Sequence, residues 1–99
     1  MPALSYTFDA VLWRWAANAS WVFLTVPPDA SDEIDEVAAG SAGGFGSLKV
    51  EVRIGSTAWR TSIFPSVGHG GYVLPVKKAV RTAQSVDVDD TVTVHLDVL

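Results

Sequence analysis

The stretch Leu48-Lys-Val-Glu-Val-Arg-Ile54 decides the fold class, because its apolar and polar side chains alternate at every position. Strict alternation is the pattern of a β-strand with one buried face and one solvated face. Residues 91–98 repeat it, with valine or leucine at every even position and a polar residue at every odd position. Both segments are therefore predicted to be amphipathic strands.

Four further segments carry strand patterns; they are residues 6–13, 21–26, 57–64 and 72–74. Gly55-Ser56 predicts a two-residue hairpin turn in which glycine supplies the positive φ. Helices are predicted over 29–39 and 76–84, with a glycine-rich connector at 40–46. The economical fold is a mostly β, small closed or partly open six-stranded β-barrel with one or two short helices, since closure removes exposed strand edges.

Length and composition bound the class of protein. The chain of 99 residues is long enough for one domain, residues 1–99, and leaves no room for a second core. It contains no cysteine, which excludes disulfides and cysteine nucleophiles and favours a cytoplasmic location. The N-terminus carries no secretory pattern, and no apolar run reaches the roughly 20 residues of a membrane span. We therefore expect no contact with a membrane.

The charge is unevenly distributed along the chain. The formal net charge is −4, and five of the eleven acids lie within residues 29–36. Because binding to nucleic acid draws mainly on Lys and Arg against phosphate, the overall acidity argues against a nucleic-acid partner. The rest of the chain is nearly balanced, which leaves room for a local basic patch.

The best candidate for a binding site is a cluster of bases. Lys77, Lys78 and Arg81 fall within five positions, and Lys77 and Arg81 are i,i+4 neighbours on the predicted helix. Arg60 is expected nearby across the barrel. Such a cluster at a helix start can bind a phosphate or carboxylate, since free N–H groups add to the side-chain charge. The alternative is that these bases pair with the acids of residues 87–90 or remain solvated.

Two more residues complete the candidate ligand-binding set, Tyr72 and His69. His69 lies in the glycine-rich loop 66–71, which can form a backbone anion nest, and its imidazole titrates near neutral pH. The alternative is an exposed turn residue. No metal site is predicted, because His69 and His95 lack a metal-ligand spacing, and no cofactor motif is present.

The four tryptophans are many for a chain of this length. Tryptophan side chains can stack on bases or sugars, or they can fill the core of a small barrel. Trp13 and Trp15 flank Arg14, and both are difficult to bury together with their neighbours. Partial exposure of this pair is predicted to form a contact surface.

Four stretches of the chain resemble a known family. They are Phe8-Asp-Ala, the strand from Trp21 to Pro27, Trp59-Arg-Thr-Ser-Ile-Phe-Pro65 and Tyr72-Val-Leu-Pro-Val-Lys-Lys-Ala-Val-Arg81. Together with Thr91-Val-Thr-Val they resemble the prokaryotic DUF1905 family, a domain of unknown function, over about Tyr6 to Val98. The resemblance implies a β-barrel of the double-split type, either a stand-alone cytosolic protein or an accessory domain. It implies no activity.

One position departs from the family pattern. Family members tend to carry Gly-Asp before the last strand, where this chain has Asp89-Asp90. If the position requires a positive φ, aspartate tolerates that conformation better than most residues but less well than glycine.

Three functions are compatible with these observations. The first is a non-enzymatic binding or accessory domain for a small anionic ligand or a partner protein, as a monomer or homodimer. The second is a nucleic-acid-binding or regulatory barrel, by analogy with other double-split barrels. The third is a small enzyme that uses His69, which ranks last because no set of nucleophile, base and orienting group is visible.

Overall fold

The computed structural model describes residues 4–18, 20–41 and 46–99. Its strands are Ser5–Val11 (β1), Trp13–Arg14 (β2), Val22–Thr25 (β3), Leu48–Ile54 (β4), Thr57–Ser66 (β5), Gly71–Pro75 (β6) and Thr91–Val98 (β7). The α-helices are Pro28–Ser41 (α1) and Lys78–Gln84 (α2), and a single 3-10 turn spans Val67–His69. None of the helices in these ranges is both long and apolar enough to cross a lipid bilayer.

All strand pairs are antiparallel and form one sheet in the order β1-β7-β4-β5-β6-β3-β2. The two edge strands, β1 and β2, follow each other in the chain and are separated only by Leu12. The sheet must therefore curl until its edges approach each other at that residue. This curled, partly open barrel confirms the predicted mostly β fold.

The described chain has seven strands where six were predicted, because the segment 6–13 changes partners at Leu12. The Leu12 amide donates to the Asp90 carbonyl and its carbonyl accepts from the Asp89 amide, both at 2.9 Å. The segment pairs with β7 before this residue and with β3 after it. Asp89 has a φ of +75°, so the position at which the resemblance implies a glycine adopts the left-handed conformation.

Several predicted boundaries agree with the structure, and others shift for identifiable reasons. β4 spans the predicted residues, and Gly55 has the expected positive φ of +59° in the hairpin to β5. α2 begins at Lys78 and not at Val76, because the Val76 amide donates to the Val22 carbonyl at 2.9 Å and continues the sheet. Of the predicted connector 40–46, residues 42–45 lie outside the described residues.

The core lies inside the curl of the sheet. It contains the apolar faces of β4 and β7, as their alternation predicted, together with residues of the other strands; among them are Val50, Val52, Val94, Leu96, Leu12, Leu24, Ile63 and Leu74. α1 adds Ala30 and Ile34, which are four positions apart on one helix face. Outside this core, β2 and β5 each retain exposed side chains.

α1 is fixed to the sheet by polar contacts as well as by packing. The buried Ser31 hydroxyl donates to the Val26 carbonyl at 3.0 Å and accepts from the Tyr72 amide at 3.1 Å. The Tyr6 hydroxyl donates to Glu33, and burial together with this carboxylate raises the pKa of Tyr6 to about 12. The acidic segment of the sequence is therefore partly engaged in holding the helix.

Candidate anion-binding groove

A groove crosses the outer side of the barrel where β5, β6, β3 and β2 lie side by side. Its volume is about 910 Å³, within the range of roughly 300–1,000 Å³ that is typical of small-molecule sites. Basic side chains line it from β2, from β5, and from α2 with the residue before it; they are Arg14, Arg60, Lys77, Lys78 and Arg81. We refer to this feature as the basic groove.

The basic groove concentrates the positive charge of an acidic protein. It holds five of the seven Lys and Arg residues of the chain, and its described lining contains one carboxylate, Asp87. The lining therefore carries a net charge of +4, whereas the whole chain carries −4. The structure brings together three of the predicted site residues, Lys77, Arg81 and Arg60.

Arg81 is held by the protein itself. Its side chain is only 16% exposed and its Nη1 lies 3.5 Å from Asp87. Its Nε donates to the Val76 carbonyl at 3.1 Å, which ties the first residue after β6 to α2. The predicted alternative, pairing with the acids that follow α2, thus applies to Arg81.

The other cations of the basic groove are more available. Within the described part of the chain, Arg14, Lys77 and Lys78 have no carboxylate partner. Arg60 has Glu51 at 3.1 Å from its Nε, but this pair is largely solvated, with the Arg60 side chain 73% exposed. An exposed pair of this kind contributes little energy and can be exchanged for a ligand anion.

Aromatic side chains lie among these cations. Trp21 and Phe64 line the groove and are 54% and 43% exposed, an unusual degree for large apolar side chains. Phe23 and Trp59 also line it and are more covered. The groove therefore combines positive charge with accessible aromatic surface.

A comparison with protein families matches residues 8–96 to DUF1905, a domain of unknown function. The chain belongs to the DUF1905 family. No curated protein matches this chain closely. The match covers nearly all of the sequence and includes β2, β3, β5, β6 and α2, which carry the basic groove.

In this DUF1905 domain, Tyr72 does not reach the basic groove. It is 3% exposed, because three successive residues of β6, Tyr72 to Leu74, are buried. Its hydroxyl lies 3.5 Å from Asp35 of α1, at the long limit of a hydrogen bond. Burial and this neighbouring carboxylate raise the pKa of Tyr72. The predicted role of Tyr72 as a ligand contact is not supported by its position.

His69 also lies outside the groove lining. Its ring stacks on Trp13 at a centroid distance of 4.3 Å and contacts Trp15 at 5.0 Å. The Phe23 ring lies 5.4 Å from Trp13 and extends this cluster to the edge of the basic groove. Trp13 and Trp15 are half-buried, so the predicted partial exposure of the pair is confirmed, but much of their surface is used within the cluster.

The hydrogen-bond partner of the His69 imidazole is a nearby residue in the sequence. Its Nδ1 lies 2.7 Å from the Ser66 hydroxyl, a local contact within one turn. No hydrogen bond from a third described residue orients this imidazole, as a catalytic triad requires. Nor do three His, Asp or Glu side chains converge on a possible metal site anywhere in the described ranges.

Arg14 and Trp21 are among the groove residues that were not predicted from the sequence as ligand contacts. Both enter the groove because β2 and β3 pair with each other and β3 pairs with β6. The strand pattern alone does not define which strands become neighbours. The only local signal was the unusual density of tryptophan around Arg14.

Proposed function

We propose that this DUF1905 domain is a non-enzymatic binding or accessory domain whose basic groove takes a small anionic ligand. One observation carries the proposal: five of the seven cations of an acidic chain line a single groove with one carboxylate among them. If charged residues were placed at random on a protein of net charge −4, we would expect several acidic residues among these five cations.

The state of the individual cations supports the same function. Arg14, Lys77 and Lys78 are unpaired within the described residues, so binding an anion breaks no ion pair of theirs. Lys77 has an extended backbone and its side chain makes no capping hydrogen bond. Charge-assisted hydrogen bonds to a ligand oxygen are stronger than neutral hydrogen bonds. These side chains can therefore bind an anion without giving up a contact that stabilises the fold.

The test is a calorimetric titration with inorganic tripolyphosphate as the anion. The double variant Lys77→Ala/Lys78→Ala should weaken binding at least tenfold. Lys49→Ala/Arg53→Ala is the matched control, because it removes the same charge from β4, outside the groove lining. The control should change the affinity less than threefold. Equal losses in both variants, or no binding by the unaltered protein, would contradict a localised anion site.

The runner-up is a nucleic-acid-binding barrel, which the aromatic side chains in the groove favour. If the binding domain recognises a partner protein in place of a small ligand, we expect the surface of that partner to be acidic. For its location we assign the cytoplasm, since a chain without cysteine gains nothing from an oxidising compartment.

A further inference from the structure

Trp21 is the most exposed large aromatic side chain of the described residues, at 54%. Trp13, Trp15, Phe23 and His69 stack on one another, but the Trp21 indole stacks on no other described ring. Its backbone is nevertheless well fixed. The Trp21 carbonyl accepts from Trp15 at 2.8 Å, and its amide donates to Asn18 at 3.0 Å. The indole is thus presented to solvent from a defined position.

Trp21 and Lys77 lie at the same end of the pairing between β3 and β6, and Lys77 has no carboxylate partner among the described residues. Phe23 lies opposite Pro75, and the hydrogen bond from the Val76 amide to the Val22 carbonyl continues the pairing by one residue. Continued by one more position, the same antiparallel register brings the backbone of Trp21 opposite that of Lys77, beyond the ends of both strands. Directly opposed residues share one face of a sheet, with Cβ atoms about 5 Å apart. Val22 and Val76 face the core, so Trp21 and Lys77 both face the groove.

Further cations line the groove in addition to Lys77. Arg14 of β2 and Arg60 of β5 are three strand positions apart in the sheet order, which is about 14 Å along the sheet. Lys78 lies directly after Lys77 in the groove lining. The exposed indole and these cations therefore line the same groove.

We propose that the ligand of the basic groove is a nucleoside phosphate, whose base stacks on Trp21 and whose phosphates contact Lys77 and Lys78. The inference rests on the proposed function, since it names the ligand class of the same groove. A bare phosphate or an aliphatic carboxylate would leave Trp21 exposed and use only the cations. A planar base with attached phosphates uses both, because aromatic rings stack and the phosphate charge is met by lysine.

The expected selectivity follows from the energy of stacking. Base stacking on an aromatic side chain typically changes affinity about 5- to 150-fold. Adenosine triphosphate should therefore bind more tightly than tripolyphosphate by a factor in this range. Trp21→Leu, which keeps an apolar side chain but removes the ring, should abolish that difference. Trp21→Phe should restore part of it.

Calorimetric titrations of the full chain with adenosine triphosphate, tripolyphosphate and a single-stranded octanucleotide test this assignment. The expected result is the ring-dependent preference for adenosine triphosphate over tripolyphosphate. If the two bind equally and Lys77→Ala/Lys78→Ala weakens both, the basic groove is an anion site but the nucleoside assignment is wrong. If neither binds, both proposals are wrong. An octanucleotide bound more than 100-fold more tightly than adenosine triphosphate would assign the groove to nucleic acid instead.

Discussion

Replacement of Arg81 by alanine distinguishes a residue that builds the groove from one that binds the ligand. Arg81 was predicted from the sequence as a ligand contact, and it does line the basic groove. Its side chain is 16% exposed, however, and its Nε donates to the carbonyl of Val76, a residue that is itself 1% exposed. The variant would leave this carbonyl without the guanidinium donor.

The expected loss of stability can be worked from these contacts. A hydrogen bond from a charged group contributes about 1.5–3 kcal/mol. The contact with Asp87 adds at most ~1 kcal/mol, because the Asp87 side chain is 70% exposed. We expect Arg81→Ala to lower the free energy of unfolding by about 2–3 kcal/mol. For a domain of this size that corresponds to a decrease in Tm of roughly 8–24 °C.

Urea denaturation followed by tryptophan fluorescence measures this loss. Lys77→Ala and Lys78→Ala are the controls, because both side chains are exposed and unpaired within the described chain. Each should change the free energy of unfolding by less than about 0.5 kcal/mol. An Arg81→Ala protein as stable as the unaltered chain, but unable to bind tripolyphosphate, would refute the structural role and make Arg81 a ligand contact.

Substitutions at Ser31, Asp89 and Tyr6 test the fold that carries the groove. Ser31→Ala removes the hydroxyl that accepts from the buried Tyr72 amide, and it should lower the free energy of unfolding by about 1–3 kcal/mol in urea denaturation. The control Ser62→Ala loses no described hydrogen bond and should lower it by less than about 0.5 kcal/mol. At Asp89, where φ is +75°, the glycine variant should be more stable than the alanine variant by about 1 kcal/mol, and equal stabilities would contradict the left-handed conformation. The pKa of Tyr6 rises from 10.0 to about 12 on folding, so its stabilising effect is complete below pH 10 and is lost as the pH rises through 12. In thermal melts recorded over this pH range, Tyr6→Phe should reduce the decrease in Tm with rising pH. The same decrease in the variant would show that another group is responsible.

The fold was predictable to the extent that it depends on local alternation. β4 and β7 each bury one face, and their patterns have a period of two over seven and eight residues. The break at Leu12 was not predictable in the same way. The residues around it continue the alternation, and the change of partner depends on hydrogen bonds to Asp89 and Asp90, almost eighty positions away in the sequence.

The site was predictable only where its residues are neighbours in the sequence. Lys77, Lys78 and Arg81 were identified together because they lie within five positions. Tyr72 was included with them and proved to be buried, because β6 is covered on both faces and leaves no solvated side for its ring. Trp21 was not selected among four tryptophans, since its exposure follows from the stacking of Trp13 and Trp15 with Phe23.

The distribution of charge favours a ligand that fits inside the groove over one that extends beyond it. The groove lining carries +4 and the chain −4, so the remainder of the protein carries −8. A nucleoside phosphate is surrounded mainly by the cations, and the rest of the surface is partly screened by salt at distances beyond about 10 Å. A longer polyanion gains no further cations once it leaves the groove and meets a surface of its own sign. Each added nucleotide should then contribute little or nothing to affinity. Comparing the affinities for adenosine triphosphate and the octanucleotide therefore tests whether the positive potential of this domain is confined to the groove.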